Sequence, residues 1–341
     1  MQFRRIPPAI IAGCLAVTLL GACSDDTKPA SKPSATTTTR AATTTTRAPA
    51  PTGAPAPLTG VPGDADVERR PALTVKVENT REARPLVGVQ HADVVYEEVV
   101  EGGITRLAAV FQSQIPAVIG PVRSVRRTDQ AIVRPIQGIF VYSGGAKYAE
   151  DSIAAAPVVR FNESSGGPAM FRDRQRRAPH NLFLRAPDIF GKAPSAIGPP
   201  NALFTYGSRS ASATPAASVT IGFTNSNAVR WDWDPTTKRW NRFFNGNPDM
   251  DSDGTQIHAV NVVIQQVRYT GGTGKIGAEA ALLGSGGAWV LSAGRVVAGT
   301  WQRADAASAG ELLDASGAVV PLAPGNTWVA LPDPSYSVKV S

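Results

Sequence analysis

The chain has 341 residues, with 34 Lys and Arg, 27 Asp and Glu, and two cysteines. That length can supply one or two cores stable without covalent help, and two domains is the better prior. So little cysteine excludes a disulfide-stapled scaffold, and a formal charge of +7, or +5 once Arg4 and Arg5 are set aside, is too mild for a nucleic-acid patch.

Residues 1–22 read as a lipoprotein signal peptide. Arg4 and Arg5 form the positive start, and residues 6–20 form an apolar run too short for a comfortable membrane span. The run closes on Leu20-Gly21-Ala22-Cys23, which resembles the bacterial lipobox, where small residues fit the signal peptidase and the cysteine thiol takes the lipid. Cys23 would then carry a palmitate-type acyl anchor and hold the protein on the extracytoplasmic face of the cell membrane. A plain secretory signal with a chance cysteine is the competing reading. Cys14 lies in the discarded leader, so the folded part would have no thiol.

Residues 23–57 are rich in Thr, Ala and Pro, as in "TTTTRAATTTTRAPAPTGAPAP", and cannot bury enough to fold. They read as a tether, spanning about 30 Å as a random coil and roughly 100 Å if its prolines keep it extended. Its threonines are plausible O-glycan sites.

The fold class expected is α+β, an N-terminal mixed α/β domain over 58–200 and a mainly β domain over 219–341, joined by a Gly-, Pro- and Ser-rich linker at 201–218. In the first domain, "ALTVKVEN", "ADVVYEEVV" and "ITRLAAVFQS" alternate as strands, "SVRRTDQAIVR" reads as a helix stopped by Pro135, and "GIFVYSGG", "AKYAEDSIAAA" and "PVVRFNES" read as strand, helix, strand. The turn at Gly144-Gly145 could hold an anion on backbone N–H groups, although a plain turn explains it more simply.

Three carboxylates inside "VVYEEVVEGGITRLAAVFQS" need partners, because an unpaired buried charge is costly. A two-residue turn at Gly102-Gly103 would set Val99 opposite Arg106 and place Arg106 diagonal to both Glu97 and Glu101, with Glu98 on the other face. If Ser124 caps the following helix, Arg123 and Arg126 flank its positive pole, an unfavourable place for cations unless an anion sits among them. His180 and Asn181 follow Pro179; His180 could carry protons or merely brace its loop. The run Arg172-Asp173-Arg174-Gln175-Arg176-Arg177 reads as a solvated loop, and no nucleophile elbow surrounds Ser143.

Beyond residue 217 the helical period disappears, and short strands alternate with polar turns. Trp231, Trp233, Trp240 and Phe244 fall on facing positions of a hairpin, where an aromatic core explains them more simply than a sugar-stacking ladder. Asp249, Asp251, Asp253 and Gly254 copy the first half of a calcium loop, but Val260 stands where its bidentate glutamate belongs. His91, His180 and His258 lack zinc spacing, so neither a metal nor another cofactor is expected.

The stretches "PLTG", "ARPLVGVQHADVVYEEVVEGGITRLAAVFQS", "IGPVRSVRRTD" and "RAPHN", with "RWNRFFNGNPDMDSDGTQIHAVNVVIQQ" further on, resemble the YerB lipoprotein family, which pairs an N-terminal domain of unknown function (DUF3048) with a smaller C-terminal one. The resemblance covers most of residues 57–331 and implies a surface lipoprotein. It brings no activity with it; it implies only that Glu97, Glu101, Arg106, Arg123, Arg126, His180 and Asn181 fall on the family's motif positions. The function expected is binding of an anionic envelope ligand, a cell-wall polymer or an envelope protein, through an Arg- and Glu-lined cleft, with the membrane as the other partner and nucleic acid excluded. The alternative is an envelope phosphodiester or glycan hydrolase using Glu97 or Glu101 with His180 as acid and base.

Overall fold

The structure, a computed structural model, describes residues 53–341 except 209 and 272–276. The expected signal peptide, Cys23 and the expected tether up to residue 52 lie outside the described residues. No helix among the described residues is long and apolar enough to cross a membrane.

Alternating apolar residues build the first strands, β1 (Leu73–Glu78), β2 (Val94–Val99) and β3 (Thr105–Phe111). Then come helix α1 (Arg127–Ile136), strand β4 (Ile139–Val141), helix α2 (Lys147–Ala154) and strand β5 (Val159–Phe161). The second half is almost all strand, with β6 (Ser218–Thr224), β7 (Asn227–Asp234), β8 (Arg239–Phe244), β9 (Asn261–Gln265), β10 (Gly284–Ser292), β11 (Arg295–Arg303), β12 (Glu311–Asp314), β13 (Thr327–Leu331) and β14 (Val338–Val340). The fold is α+β.

An 11-stranded sheet runs in the order β12-β11-β10-β9-β13-β2-β3-β1-β4-β5, with Thr214–Pro215 beside β11. Strands from both sides of the 201–218 segment share it, because β13 pairs in parallel with β2 on one side and β9 on the other. Residues 50–341 accordingly form one compact unit. One face packs against a six-stranded sheet built on β8, β7, β6 and β14, burying Leu73, Val75, Leu107 and Phe111 against Val219, Phe223, Trp231 and Trp240. Trp231 and Trp240 are therefore core, with Trp233 partly buried against them, and Trp231 lies edge-on to Trp328 at 5.3 Å. The other face is covered in part by α1 and α2, through Ile132, Ile136, Val133 and Ile153.

The central hairpin departs from the two-residue turn expected. The Val100 N–H donates to the Ile104 carbonyl at 2.9 Å, leaving Glu101, Gly102 and Gly103 as a three-residue loop with both glycines at positive φ, 77° and 70°. Register moves by one residue. Val99 now faces Thr105, Glu98 faces Arg106 and Glu97 faces Leu107, and a slip of one sends each side chain to the opposite face. Arg106 therefore belongs with Glu98, not with Glu97. The helix start also shifts: Arg126, not Ser124, is the N-cap of α1, and its N–H donates to the Asp129 carboxylate at 2.6 Å. Pro135 lies within the last turn rather than ending the helix before it.

Glu97 sits between the two sheets with no exposed side-chain surface. Its carboxylate accepts from Arg242 Nη2 at 3.0 Å on each oxygen, from Asn79 at 2.8 Å, Thr105 at 2.9 Å and Trp328 Nε1 at 2.9 Å. Arg242 also meets Asp249, which Arg84 grips at 2.8 and 3.0 Å. Burial opposes the charge on Arg242, yet Glu97 and Asp249 more than offset it and raise its pKa. On the opposite face Lys76 joins Glu98 and lies 2.7 Å from Asp129, all fully buried.

Arg242→Met would leave Glu97 and Asp249 short of a counter-charge, and a loss of about 3 to 5 kcal/mol is expected from urea unfolding; an unchanged midpoint would refute the network's role. Burial raises the Glu98 carboxyl above its ordinary 4.5, with Lys76 opposing and Asp129 adding. The native state then holds that proton more tightly than the unfolded chain, so this group's contribution falls as pH rises above 4.5. Stability measured at pH 4.5 and pH 7 should show the wild type losing ground to Glu98→Gln over that interval.

Candidate functional site

β9, β13, β2, β1, β4 and β5 all run one way, so the carboxyl ends of β2, β1 and β4 gather at one edge with the amino end of β3. Such edges favour ligand sites in sheets of this kind. On the helix-bearing face the cross-strand pairs Glu98–Arg106 and Arg106–Glu78 form a row. The segment over Pro121–Arg126 lies across its end. Arg123 N–H donates to the Lys76 carbonyl at 2.8 Å, Ser143 N–H to the Arg123 carbonyl at 2.9 Å, and Val125 N–H to the Gly144 carbonyl at 3.0 Å. These bonds bring the Ser124 and Ser143 hydroxyls to 3.3 Å.

Three guanidinium groups meet here. Arg126 directs Nε and Nη2 to one oxygen of Glu101, each at 2.8 Å. Arg106 donates Nη1 to the Ser124 carbonyl at 2.9 Å, while its buried Nε has no partner. Arg123 lies 3.5 Å from Glu78 and donates to the Pro179 carbonyl at 3.2 Å. Burial pushes the Arg106 pKa down to about 10, and the charges of Arg126 and Arg123 push the same way. Burial works against the Glu101 charge too, but the Arg126 hydrogen bond prevails and its pKa is lowered. With Glu98 engaged by Lys76, the three arginines share two carboxylates, Glu101 and Glu78.

An open cleft of about 530 Å³ lies in front, bordered by Glu101, Ser124, Arg126, Ser143, Gly144 and Gly145 and reaching Tyr148 and Gly277. It sits at the start of α2. Ala146 caps that helix without a side-chain bond, and the N–H groups of Ala146, Lys147 and Tyr148 have no acceptor among the described residues. Unpaired N–H groups at the positive pole of a helix favour an anion.

His180 Nδ1 lies 2.9 Å from the Glu78 carboxylate, which also accepts from the Thr80 hydroxyl at 3.0 Å. Asn181 is turned away, accepting from Arg172 at 2.9 Å and donating to the Asp173 carbonyl at 3.3 Å. Of the seven residues singled out in the sequence, five (Glu101, Arg106, Arg123, Arg126 and His180) lie in this connected layer. Glu97 is separated from Glu101 and His180 by the sheet itself. Glu78, Lys76 and Asp129 were not anticipated as members; the charges at every second position of "LTVKVE" are the signal that marks the first two.

The calcium-loop carboxylates are engaged otherwise. Asp249 binds Arg84 and Arg242, Asp251 accepts from the Gly88, Gln90 and Ser252 N–H groups, and Asp253 from the Thr255 N–H. Among the described residues no group of three His, Cys, Asp or Glu could hold a metal ion.

Residues 58–196 match the family described as "Protein of unknown function (DUF3048) N-terminal domain", and residues 219–329 match its C-terminal domain. The chain is 29% identical over 290 residues, 80% of its length, to the Bacillus subtilis (strain 168) protein named "Putative lipoprotein YerB", covering 85% of it. The crystal structure of YerB from Bacillus subtilis superposes with a TM-score of 0.75 at 26% identity, over 83% of this chain and 99% of that one. With both family domains matched in order, and a solved relative sharing the fold over nearly its whole length, the chain belongs to the DUF3048 family.

Proposed function

We propose that this protein is a lipoprotein anchored through Cys23 on the extracytoplasmic face of the cell membrane, and that its body captures an anionic ligand of the envelope at the carboxyl edge of its main sheet. The observation that carries the reading is the crowding of Arg106, Arg123 and Arg126 around two carboxylates beside an open cleft. Arg106 has a carbonyl and no carboxylate of its own as hydrogen-bond acceptor. An anion in the cleft would relieve the repulsion among the three groups and gain charge-assisted hydrogen bonds from Arg126 and the free N–H groups of α2. Resemblance to a relative named a lipoprotein, together with the lipobox ahead of Cys23, supports the anchor. Phosphorylated wall polymers, peptidoglycan stem carboxylates and acidic patches of envelope proteins are the ligand classes available there.

Two experiments test this reading. Cys23→Ser should move the protein from the membrane fraction to the soluble fraction; equal membrane retention would remove the anchor. Cell-wall sacculi bearing anionic polymer should sediment the protein, sacculi stripped of that polymer should not, and Arg123→Ala/Arg126→Ala should bind about tenfold or more weakly. Capture should also weaken with salt and as pH climbs through about 10, where Arg106 loses its proton and the site one of its three positive charges. Equal capture by the double variant would end the anion-cleft reading.

A further inference from the structure

The edge of the sheet holds one further constellation, centred on a carboxylate that the arginines also face. Glu78 closes β1 with its side chain almost fully buried, and one of its oxygens meets His180 Nδ1 at 2.9 Å. The His180 side chain is 21% exposed, and its Nε2 has no hydrogen-bond partner among the described residues. With Nδ1–H donating to the carboxylate, Nε2 is left as a lone-pair acceptor open to solvent. A carboxylate that orients an imidazole through one nitrogen and frees the other is the arrangement general-base catalysis requires.

A loop brace would need only the first of these contacts. Two further features exceed it. The second Glu78 oxygen and Arg123 Nε are both buried and form an ion pair at 3.5 Å without a hydrogen bond, so the carboxylate that holds His180 is also held by a guanidinium. Arg123 is also one of the two cations that crowd Arg106 and is bonded through its carbonyl to Ser143 in the cleft wall. Arg123 thus links the dyad to the wall of the anion cleft, and Glu78 lies on the same face of the sheet as Arg106.

We propose that Glu78 and His180 form an acid–base dyad that makes the anion site a hydrolase of phosphodiesters, with His180 as general base and Glu78 as the residue that positions it. The proposal rests on the anion-capture reading above and adds a reaction to it. Negative charge spreads over the non-bridging oxygens of phosphorus in the transition state, so positioned guanidinium groups supply stabilisation where it is needed and one base suffices to activate water. A water oxygen bonds to phosphorus, the bond from phosphorus to the leaving oxygen breaks, and the water proton passes to His180 Nε2. The imidazolium then returns that proton to an alkoxide leaving group, or to solvent when the leaving group departs as a stable phenolate.

The test uses the full chain, with bis(p-nitrophenyl) phosphate as substrate and calorimetric titration of inorganic phosphate as the binding readout. Wild type should release p-nitrophenolate, and His180→Gln should lower kcat by about a hundredfold or more while keeping phosphate affinity within about twofold. Glu78→Gln should lower kcat with KM unchanged, and added imidazole should restore turnover to His180→Ala, which loss of a brace alone would not allow. Should Glu78→Gln fail to fold, the partly exposed His180 variants decide the matter. Phosphate binding without hydrolysis above the buffer rate, or equal turnover by His180→Gln, overturns the dyad and leaves anion capture standing. Failure of the wild type to bind phosphate, with no hydrolysis, removes both.

Discussion

Two adjacent glycines at positive φ let the chain reverse between Val100 and Ile104 through three residues, and side chains in a strand alternate between faces. Loop length at this one place therefore divides the acidic cluster. Glu97 enters the space between the sheets and meets Arg242, whereas Glu98 and Arg106 turn to the helix-bearing face, and Glu101, released into the loop, reaches Arg126. Neither charged layer could assemble in the other register.

The two layers obey different energetics. Between the sheets, Asp249, Arg242 and Glu97 are closed to water, Arg84 reaches them from a partly exposed position, and every carboxylate oxygen has a donor, so the cluster specifies which strands meet. At the sheet edge, Arg126 and Arg123 are partly exposed, Arg106 is repelled by both, and first-turn N–H groups of α2 stand open. Polar groups left in that state cost stability unless water or a ligand meets them. A closed ionic core and an incompletely satisfied rim thus stand back to back on neighbouring residues of a single strand.

Much of the secondary structure was legible because alternation and apolar runs are local. "LTVKVE", "VVYEEV" and "VRWDWD" announce strands by their own pattern, and "KYAEDSIA" a helix. Hairpin register was not legible: Gly102-Gly103 is compatible with loops of two or three residues, and nothing within ten residues decides between them. The Ser124 cap failed because the surrounding segment is tied by backbone bonds to β1 and to Ser143 and Gly144 beyond β4, which delays helical geometry to Arg127. Arginines 106, 123 and 126 could be placed together by the need of cations for anions, but the partner of Glu97 lies 145 residues away and only tertiary structure reveals it. Glu78 escaped notice because a charge at the end of a strand ordinarily faces solvent.

The insertion of β13 between β2 and β9 has a bearing on biogenesis. Thr327–Leu331 occupies the middle of the widest layer, flanked by strands that precede it in the sequence. For a polypeptide made amino end first, β2 and β9 must each wait, unpaired along one side, until β13 has been added. Closure of the sheet is then late and concerted, and protection of unpaired strand edges would matter more here than for a molecule whose halves could settle one after the other.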